Sequence, residues 1–261
     1  MKQDILKHLP GDFSWNIQWF ERVPSTNDLL KDLGKAGAPH GTVIIADSQS
    51  KGRGRMGRCF HSPAASGIYL SLLLRPGCQA KELMHLTCAV AVTMCDAIEK
   101  VCGFRPGTKW VNDLVIRNRK LGGILTEMAV DGDGRVVFCV IGVGINCKET
   151  AFPRELQDIA ISLEAVTGKP VDRAALIAET VTALKEMSDG LPGNAEQYLR
   201  RYRQDCITLG KHVAVLRGEE KLPAFAREID EEGALVVQYP DGRIETVAAG
   251  EVSIRGICGY L

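Results

Sequence analysis

The chain has 261 residues, of which 45% are hydrophobic and 25% are charged. This composition is typical of globular proteins, and the length suffices for one large domain or for a large domain and a small one. Lysine plus arginine equals aspartate plus glutamate at 32 each, which argues against general binding to nucleic acid or to an anionic membrane. The longest apolar run, Val136 to Ile145, is too short to cross a bilayer.

The N-terminal residues Met1–His8 lack the apolar core of a secretion signal. The nine cysteines are odd in number and contain no Cys-x-x-Cys pair, and Cys88, Cys95 and Cys102 recur every seven residues, as on one buried helix face. We therefore expect reduced thiols and a cytoplasmic protein. No zinc-ligand spacing occurs among the histidines and cysteines, so no protein-bound metal is expected.

Over most of the chain, the pattern of apolar residues predicts strands that alternate with helices. The predicted strands are Ser14–Val23, Thr42–Ala46, Gly67–Leu74, a bent Gly107–Ile116, Leu121–Val130 and Val136–Asn146. The predicted helices are one that Ser25 caps, Lys81–Val101, Ile161–Thr167, one that Asp172 caps and that runs to Met187, and Ala195–Tyr202.

From Ile207 onward the pattern changes to short strands separated by glycine-containing turns. These strands are His212–Leu216, Ala224–Ile229, Ala234–Tyr239, Arg243–Ala248 and Glu251–Ile254. They predict a small barrel of about 55 residues. We expect one domain over residues 1–205 and a second over residues 206–261.

The segment Lys51–Arg58 places four cations and three glycines in eight residues. Such a loop is suited to closing over an anion, because glycines permit close backbone approach and arginines bind carboxylate and phosphate oxygens. Its glycine spacing matches the dinucleotide-binding fingerprint, but a strand follows where that motif needs a helix. A solvated loop that contacts RNA is a further alternative, although no aromatic side chains are interleaved with the cations.

A loop that closes over an activated carboxylate and its phosphate needs partners on rigid structure. Lys120 can supply a second cation, and Asp113 can take a proton or help to hold Mg²⁺. The competing interpretations are that Lys120 is an exposed turn lysine and that Asp113 only forms a turn. In the same way, Ser25–Asn27 either present polar groups to a ligand or merely cap a helix. The residues alone leave these alternatives open.

Together these segments resemble the biotin protein ligase family, the biotin–[acetyl-CoA-carboxylase] ligases, over nearly the whole chain. The resemblance rests on Ser25–Asn27, Gln49 ahead of Gly52–Arg58, Lys109–Asp113, Arg119–Leu125, Gly142–Asn146 and Gly250–Arg255. It implies an α+β fold: a central mixed seven-stranded β-sheet with flanking helices, the class II synthetase-like biotin/lipoate ligase fold, plus a small C-terminal SH3-like β-barrel.

The resemblance also implies a reaction. The biotin carboxylate attacks the α-phosphate of ATP to give biotinyl-5′-AMP and pyrophosphate, and a lysine of a biotin carboxyl carrier domain then attacks the adenylate and releases AMP. ATP and biotin are therefore the expected substrates, Mg²⁺ is expected to arrive with ATP, and the carrier protein is the expected partner. Members are often dimeric, so a homodimer is one expected state. Some members carry an N-terminal DNA-binding domain and act as repressors; this chain matches the form without it, and we expect a ligase without repressor function.

By the same resemblance, residues can be assigned to the site. The biotin-binding residues would be Ser25, Thr26, Asn27, Gln49, Arg53, Gly54, Arg55, Lys120 and Gly123. The ATP- and adenylate-binding residues would be Arg53, Arg55, Arg58, Asn112, Lys120 and Asn146. The catalytic residues would be Lys120, Asp113 and Arg55. Two positions depart from the family, since many members have Pro at Val111 and Trp at Phe60. Glu251 and Arg255 either link the barrel to the ATP side or are surface charges.

Two other functions are compatible with parts of the sequence. A lipoate–protein ligase would run the same chemistry on a different acid, but its loop lacks the Gly-Arg-Gly-Arg-x-Gly-Arg string found here. A nucleic-acid-binding module could use the basic loop without any catalysis.

Overall fold

The computed structural model describes residues 1–148 and 152–248, together with the backbone of a last strand, Ser253–Gly256. The helices are α1 (Lys2–His8), α2 (Thr26–Lys35), α3 (Leu86–Cys102), α4 (Leu163–Thr167), α5 (Arg173–Asp189) and α6 (Ala195–Asp205). The first seven strands are β1 (Asn16–Val23), β2 (Thr42–Gln49), β3 (Gly67–Leu74), β4 (Gly107–Lys109), β5 (Asp113–Ile116), β6 (Arg119–Val130) and β7 (Val136–Asn146).

These seven strands form one mixed sheet in the order β1-β2-β3-β7-β6-β5-β4. Strands β1 and β2 are parallel, and every other neighbouring pair is antiparallel. The expected seven-stranded mixed sheet with flanking helices is therefore confirmed.

Helices cover both faces of this sheet. On one face α3 and α5 pack over the larger apolar cluster, which includes Leu70, Leu72 and Ile141. On the other face α2 packs over a smaller cluster that contains Leu30 and Phe138. Strand β3 is buried along its whole length, and its apolar run is interrupted by one polar residue, Ser71. The rigid centre of the sheet is thus fixed by apolar burial from both sides.

The structure differs from the predicted elements in three places. The expected bent strand Gly107–Ile116 is a hairpin, with β4 and β5 antiparallel to each other. The chain reverses in a turn at residues 110–112, and Asn112 is held there by Ile124 on β6 through both its backbone oxygen, at 2.9 Å, and its side-chain amide, at 3.1 Å. Helix α3 begins at Leu86, and a separate short 3₁₀ turn precedes it at Ala80–Leu83. Helix α1 was not predicted.

The C-terminal part forms a second sheet. Its strands are β8 (His212–Arg217), β9 (Glu220–Ile229), β10 (Leu235–Gln238), β11 (Ile244–Val247) and β12 (Ser253–Gly256). They are antiparallel and lie in the order β11-β10-β9-β8-β12. The small C-terminal all-β unit is therefore confirmed. Glu251 and the side chain of Arg255 lie outside the described residues, so their expected role is not tested.

None of the helices within residues 1–148 and 152–248 combines the length and the apolar character that a bilayer-spanning segment needs.

Candidate active site

A cavity of about 520 Å³ lies between the start of α2, the loop Lys51–Arg58 and strands β5, β6 and β7. All thirteen residues that the sequence placed in the site line this cavity. They are Ser25, Thr26, Asn27, Gln49, Arg53, Gly54, Arg55, Arg58, Asn112, Asp113, Lys120, Gly123 and Asn146. Residues from five separate parts of the chain thus meet in one place.

The first turn of α2 forms a polar wall of the cavity. Ser25 caps the helix, because its hydroxyl accepts a hydrogen bond from the backbone N–H of Asp28 at 3.3 Å. Thr26 donates from both its backbone N and its hydroxyl to Oε1 of Gln49, at 2.8 and 3.1 Å. The amide of Gln49 then donates to Ser62 at 2.9 Å. Ser25–Asn27 therefore both cap the helix and line the cavity, so these two interpretations of the segment do not exclude each other.

Asn27 is held more tightly than a surface amide would be. Its side chain is buried, lies 2.6 Å from the hydroxyl of Ser71 and donates to the Leu125 carbonyl at 3.2 Å and to Glu127 at 3.1 Å. Gly142 on β7 makes room for it, because a Cβ atom there would lie 2.1 Å from Oδ1 of Asn27. This wall is consequently preorganised by the sheet beneath it.

Lys120 lies on the opposite side, at the start of β6. Its Nζ donates to Oδ1 of Asp113 at 2.5 Å, and its side chain is 28% exposed. Its backbone bonds to Ile159 and Ile161, with N–O distances of 2.7 and 2.9 Å. Gly123 leaves space beside the ammonium group, since a Cβ there would lie 3.2 Å from Nζ. Lys120 is thus a cation on a strand, not a free turn lysine.

Asn112 links the basic loop to the sheet. Its Oδ1 accepts a hydrogen bond from Nη1 of Arg55 at 3.1 Å, while its Nδ2 donates to the Ile124 carbonyl at 3.1 Å. Burial lowers the pKa of Arg55, and the charge of Asp113 partly offsets this effect. Arginine nevertheless stays protonated at neutral pH. The loop therefore delivers a permanent positive charge next to the Lys120–Asp113 pair.

Arg53 behaves differently from Arg55. Its guanidinium donates to Asp28 at 2.5 Å and to both carboxylate oxygens of Glu127 at 3.1 Å each. Glu127 also accepts from Lys31 at 2.9 Å. Burial alone would lower the pKa of Arg53, but the charges and hydrogen bonds of Glu127 and Asp28 raise it above its ordinary value. We call Arg53, Asp28 and Glu127 the carboxylate latch, because they tie the loop to α2 and β6.

Sequence reasoning missed Glu127 and Asp28 as partners of the loop. It also missed the apolar wall formed by residues 152–160, of which Phe152, Leu156, Ile159 and Ala160 line the cavity. No motif marks that segment, since its side chains only supply apolar surface. Glu127, which pairs with Arg53 from a distant strand, likewise has no local sequence signal.

Phe60, one of the two positions at which the sequence was expected to depart from the family, is packed into the site wall. A Cβ at Gly144 would lie 2.6 Å from its ring, and the ring meets Tyr69 edge-on with centroids 6.3 Å apart. The aromatic packing is thus retained without an indole N–H. In the part of the chain that the structure describes, no group of three or more His, Cys, Asp or Glu side chains could hold a metal ion.

Two family models match the chain. Residues 19–146 match the biotin/lipoate A/B protein ligase family, and residues 208–255 match the biotin protein ligase C-terminal domain. The first match contains the polar wall, the basic loop, Asn112, Asp113, Lys120 and Asn146.

Named relatives and a solved structure agree with these matches. The bifunctional ligase/repressor BirA of Bacillus spizizenii is 33% identical over 235 residues, which cover 89% of this chain and 72% of that protein. The biotin–[acetyl-CoA-carboxylase] ligase of Mycobacterium tuberculosis is 32% identical over 234 residues, which cover 87% of this chain and 85% of that protein. The biotin protein ligase of Aquifex aeolicus in complex with biotin and ATP superposes with a TM-score of 0.78 at 28% identity, covering 92% of this chain and 99% of that one. On this combined evidence the chain belongs to the biotin protein ligase family.

Proposed function

We propose that the protein joins biotin to ATP to form biotinyl-5′-AMP and pyrophosphate, and then transfers the biotinyl group to a lysine of a carrier domain. The observation that supports this most directly is the cavity itself, which has a polar wall at one end and the Lys120–Asp113 pair with the arginines of the loop at the other. The Aquifex aeolicus relative, which shares this fold, was solved with biotin and ATP.

We assign the polar wall to the ureido ring of biotin. That ring carries N–H donors and a carbonyl acceptor, so it needs fixed groups of both kinds. Ser25, Thr26, Asn27 and Gln49 offer hydroxyl, amide and backbone groups that neighbouring residues already hold in place. Gly123 and Gly54 leave space along the path toward Lys120.

Adenylate formation requires an in-line attack of the biotin carboxylate on the α-phosphorus. A new carboxyl O–P bond forms, and the bond to pyrophosphate breaks with the electron pair leaving on pyrophosphate. Lys120, Arg55 and Arg58 line the cavity as cations and would face the charge that develops on the phosphate oxygens. Asn146 supports this geometry, because its amide donates to the Ile161 carbonyl at 3.2 Å, beside the backbone of Lys120.

Transfer requires a neutral amine. The acceptor lysine attacks the acyl carbon, a C–N bond forms, and AMP leaves with the electrons of the broken C–O bond. Asp113, whose carboxylate lies next to Lys120, is placed to accept the proton or to orient the amine. The mixed anhydride would hydrolyse in water, so we assign the loop Lys51–Arg58 the function of a lid that excludes solvent.

Mg²⁺ would arrive with the ATP phosphates and neutralise part of their charge. Among the predicted site residues, Asp113 is the carboxylate that could contribute an oxygen to Mg²⁺, and it also accepts a hydrogen bond from Lys120.

Four finer assignments complete the proposal. We place the domain boundary between residues 205 and 206, which is supported by the end of α6 at Asp205 and the match to the C-terminal domain from residue 208. A reducing compartment such as the cytoplasm is supported by the eight cysteines in the described ranges, all of which are free thiols. The carrier domain as acceptor, and a homodimer, remain predictions.

The decisive experiment is incubation with biotin, ATP and a carrier domain, followed by a streptavidin blot. We expect labelling that depends on biotin and ATP. Pyrophosphate exchange separates the alternatives: exchange that lipoate stimulates and biotin does not would instead assign a lipoate ligase. Salt-sensitive binding of RNA or DNA without any exchange would assign a nucleic-acid-binding module.

A further inference from the structure

The loop between β4 and β5 contributes Trp110 and Asn112 to the cavity, and Asp113 follows at the start of β5, yet this hairpin lies at the edge of the large sheet. An edge strand has no neighbouring strand to fix it on its outer side. Here the connection between α6 and β8 takes that place. Ile207 donates from its backbone N to the Thr108 carbonyl at 2.9 Å, and Cys206 pairs with Thr108 as an isolated parallel bridge.

Three buried hydrogen bonds then hold the two residues that precede Asn112. The backbone N of Trp110 donates to the hydroxyl of Thr208 at 3.0 Å, and its indole Nε1 donates to the Gly233 carbonyl at 3.0 Å. The hydroxyl of Tyr202 donates to the Val111 carbonyl at 3.1 Å. All three partners belong to α6 or to the chain that follows it. The loop between β4 and β5 is therefore held in place by hydrogen bonds from α6 and the C-terminal part of the molecule.

The turn that supplies the Gly233 carbonyl is itself held by hydrogen bonds. It joins β9 to β10, and the carboxylate of Asp230 accepts from the backbone N–H groups of Glu232 and Ala234, at 2.9 and 2.8 Å. Arg203 on α6 donates to the Asp230 carbonyl at 2.9 Å.

Gly233 lies against the catalytic half of the molecule. It has a φ of +86°, and a Cβ atom there would come within 3.1 Å of the Cys88 sulfur on α3. Glycine is thus required at this point both by the backbone conformation and by the close approach to α3.

We propose that Tyr202, Asp230 and Gly233 are positioning residues that set the Asn112–Asp113 pair relative to Lys120. The proposal rests on the proposed function above. Asn112 accepts a hydrogen bond from Arg55 of the lid, and Asp113 accepts one from Lys120. A displacement of the loop between β4 and β5 would therefore disturb both contacts. Small displacements of reacting groups lower turnover strongly even when the fold is intact. The C-terminal sheet thereby acts in adenylate formation through a turn outside the residues that line the cavity.

Two variants test this without altering a residue that lines the cavity. Tyr202→Phe removes one hydroxyl at nearly constant volume, and Asp230→Ala loosens the turn that presents the Gly233 carbonyl. Tyr239→Phe is the matched control, because Tyr239 is also buried but donates its hydroxyl to Glu245 within the C-terminal sheet at 3.1 Å. For each protein we would measure the melting temperature, the affinity for biotin, and kcat and KM for ATP in biotin-dependent pyrophosphate exchange.

We expect kcat to fall about tenfold or more in Tyr202→Phe and Asp230→Ala while biotin affinity is unchanged, and we expect Tyr239→Phe to match the wild type. Unchanged kcat in both variants, even with a lower melting temperature, would show that these contacts only stabilise the fold and would overturn the proposal. A parallel loss in Tyr239→Phe would overturn it as well.

If Tyr202→Phe does not fold, the kcat of Asp230→Ala alone tests the positioning proposal. The wild type distinguishes failure of this proposal from failure of the proposed function. The absence of biotin-dependent exchange in the wild type would refute the proposed function and not the positioning contacts.

Discussion

The two sides of the cavity are built on different principles. What we call the sheet side comprises α2 and strands β5 and β6, which carry Asn27, Asp113 and Lys120 in positions fixed by hydrogen bonds to neighbouring elements. The loop side, Lys51–Arg58, is largely exposed, and two of its contacts with the rest of the site are the latch of Arg53 and the hydrogen bond from Arg55 to Asn112. Preorganised charge on the sheet side suits the chemical step, whereas an exposed segment with polar contacts is suited to opening and closing. The difference predicts distinct defects on the two sides.

Lys120→Ala should have the largest effect. It removes the fixed cation of the sheet side, so biotin-dependent pyrophosphate exchange should fall by about a thousandfold while the fold is retained. The exchange rate and the circular dichroism melting curve are the measurements. Lys185→Ala, which removes the ion pair between Lys185 and Asp189 on α5 at a similar side-chain exposure, is the control. Turnover near that of the wild type in Lys120→Ala would refute the assigned role.

Arg55→Ala tests the loop side. The lid would lose its hydrogen bond to Asn112, and the adenylate should dissociate about tenfold to a hundredfold faster, because solvent and product exchange through the lid. Release of labelled biotinyl-AMP in the absence of a carrier domain measures this rate. Arg22→Ala, on the exposed part of β1, is the control. If the dissociation rate of Arg55→Ala equals that of the control, the loop is not a lid.

Gly142→Ala tests the preorganisation of the sheet side. The added methyl group would displace Asn27, since the Cβ position lies 2.1 Å from its Oδ1. Biotin affinity should weaken by about tenfold, because a buried amide loses its aligned partners. The matched control is Gly132→Ala, where a Cβ meets nothing within 4 Å. Calorimetric titration with biotin is the measurement, and equal affinities in the two variants would contradict the assignment of Asn27.

Glu127→Gln should have the smallest effect. It removes the charge of the latch but keeps its shape, so amide exchange in the loop and adenylate release should each rise by about threefold, as expected for a partly exposed ion pair. Glu21→Gln on β1 is the control. No change in loop exchange relative to that control would show that the latch does not restrain the loop.

The latch also predicts a pH dependence. Burial alone would raise the pKa of Glu127, but hydrogen bonds from Lys31 and Asn27 and the charges of Arg53 and Lys31 lower it below its ordinary value of 4.5. Because its pKa is lowered, the stabilisation that the Glu127 carboxylate gives to the folded protein is fully present above pH 4.5. This stabilisation is lost as the pH falls through the pKa of the folded state. Loop exchange in the wild type should therefore be insensitive to this group at neutral pH.

The sequence alone determined the parts of the molecule that depend on local chemistry. The apolar runs of β3 and β7 determined strands, and Ser25 and Asp172 determined helix starts. The glycine and arginine spacing of Lys51–Arg58 predicts an anion-binding loop. The resemblance to a family added the residues of the site, all of which line one cavity.

Only the tertiary structure decided which distant groups meet. It turned the expected bent strand into the hairpin of β4 and β5, in which Asn112 also pairs with Ile124 on β6. It assigned Arg53 to Glu127 and the indole of Trp110 to Gly233, pairs that are 74 and 123 residues apart. The physical reason is that such contacts depend on strand order and on the packing of the two sheets, and no local pattern in the chain encodes which partner a side chain will find.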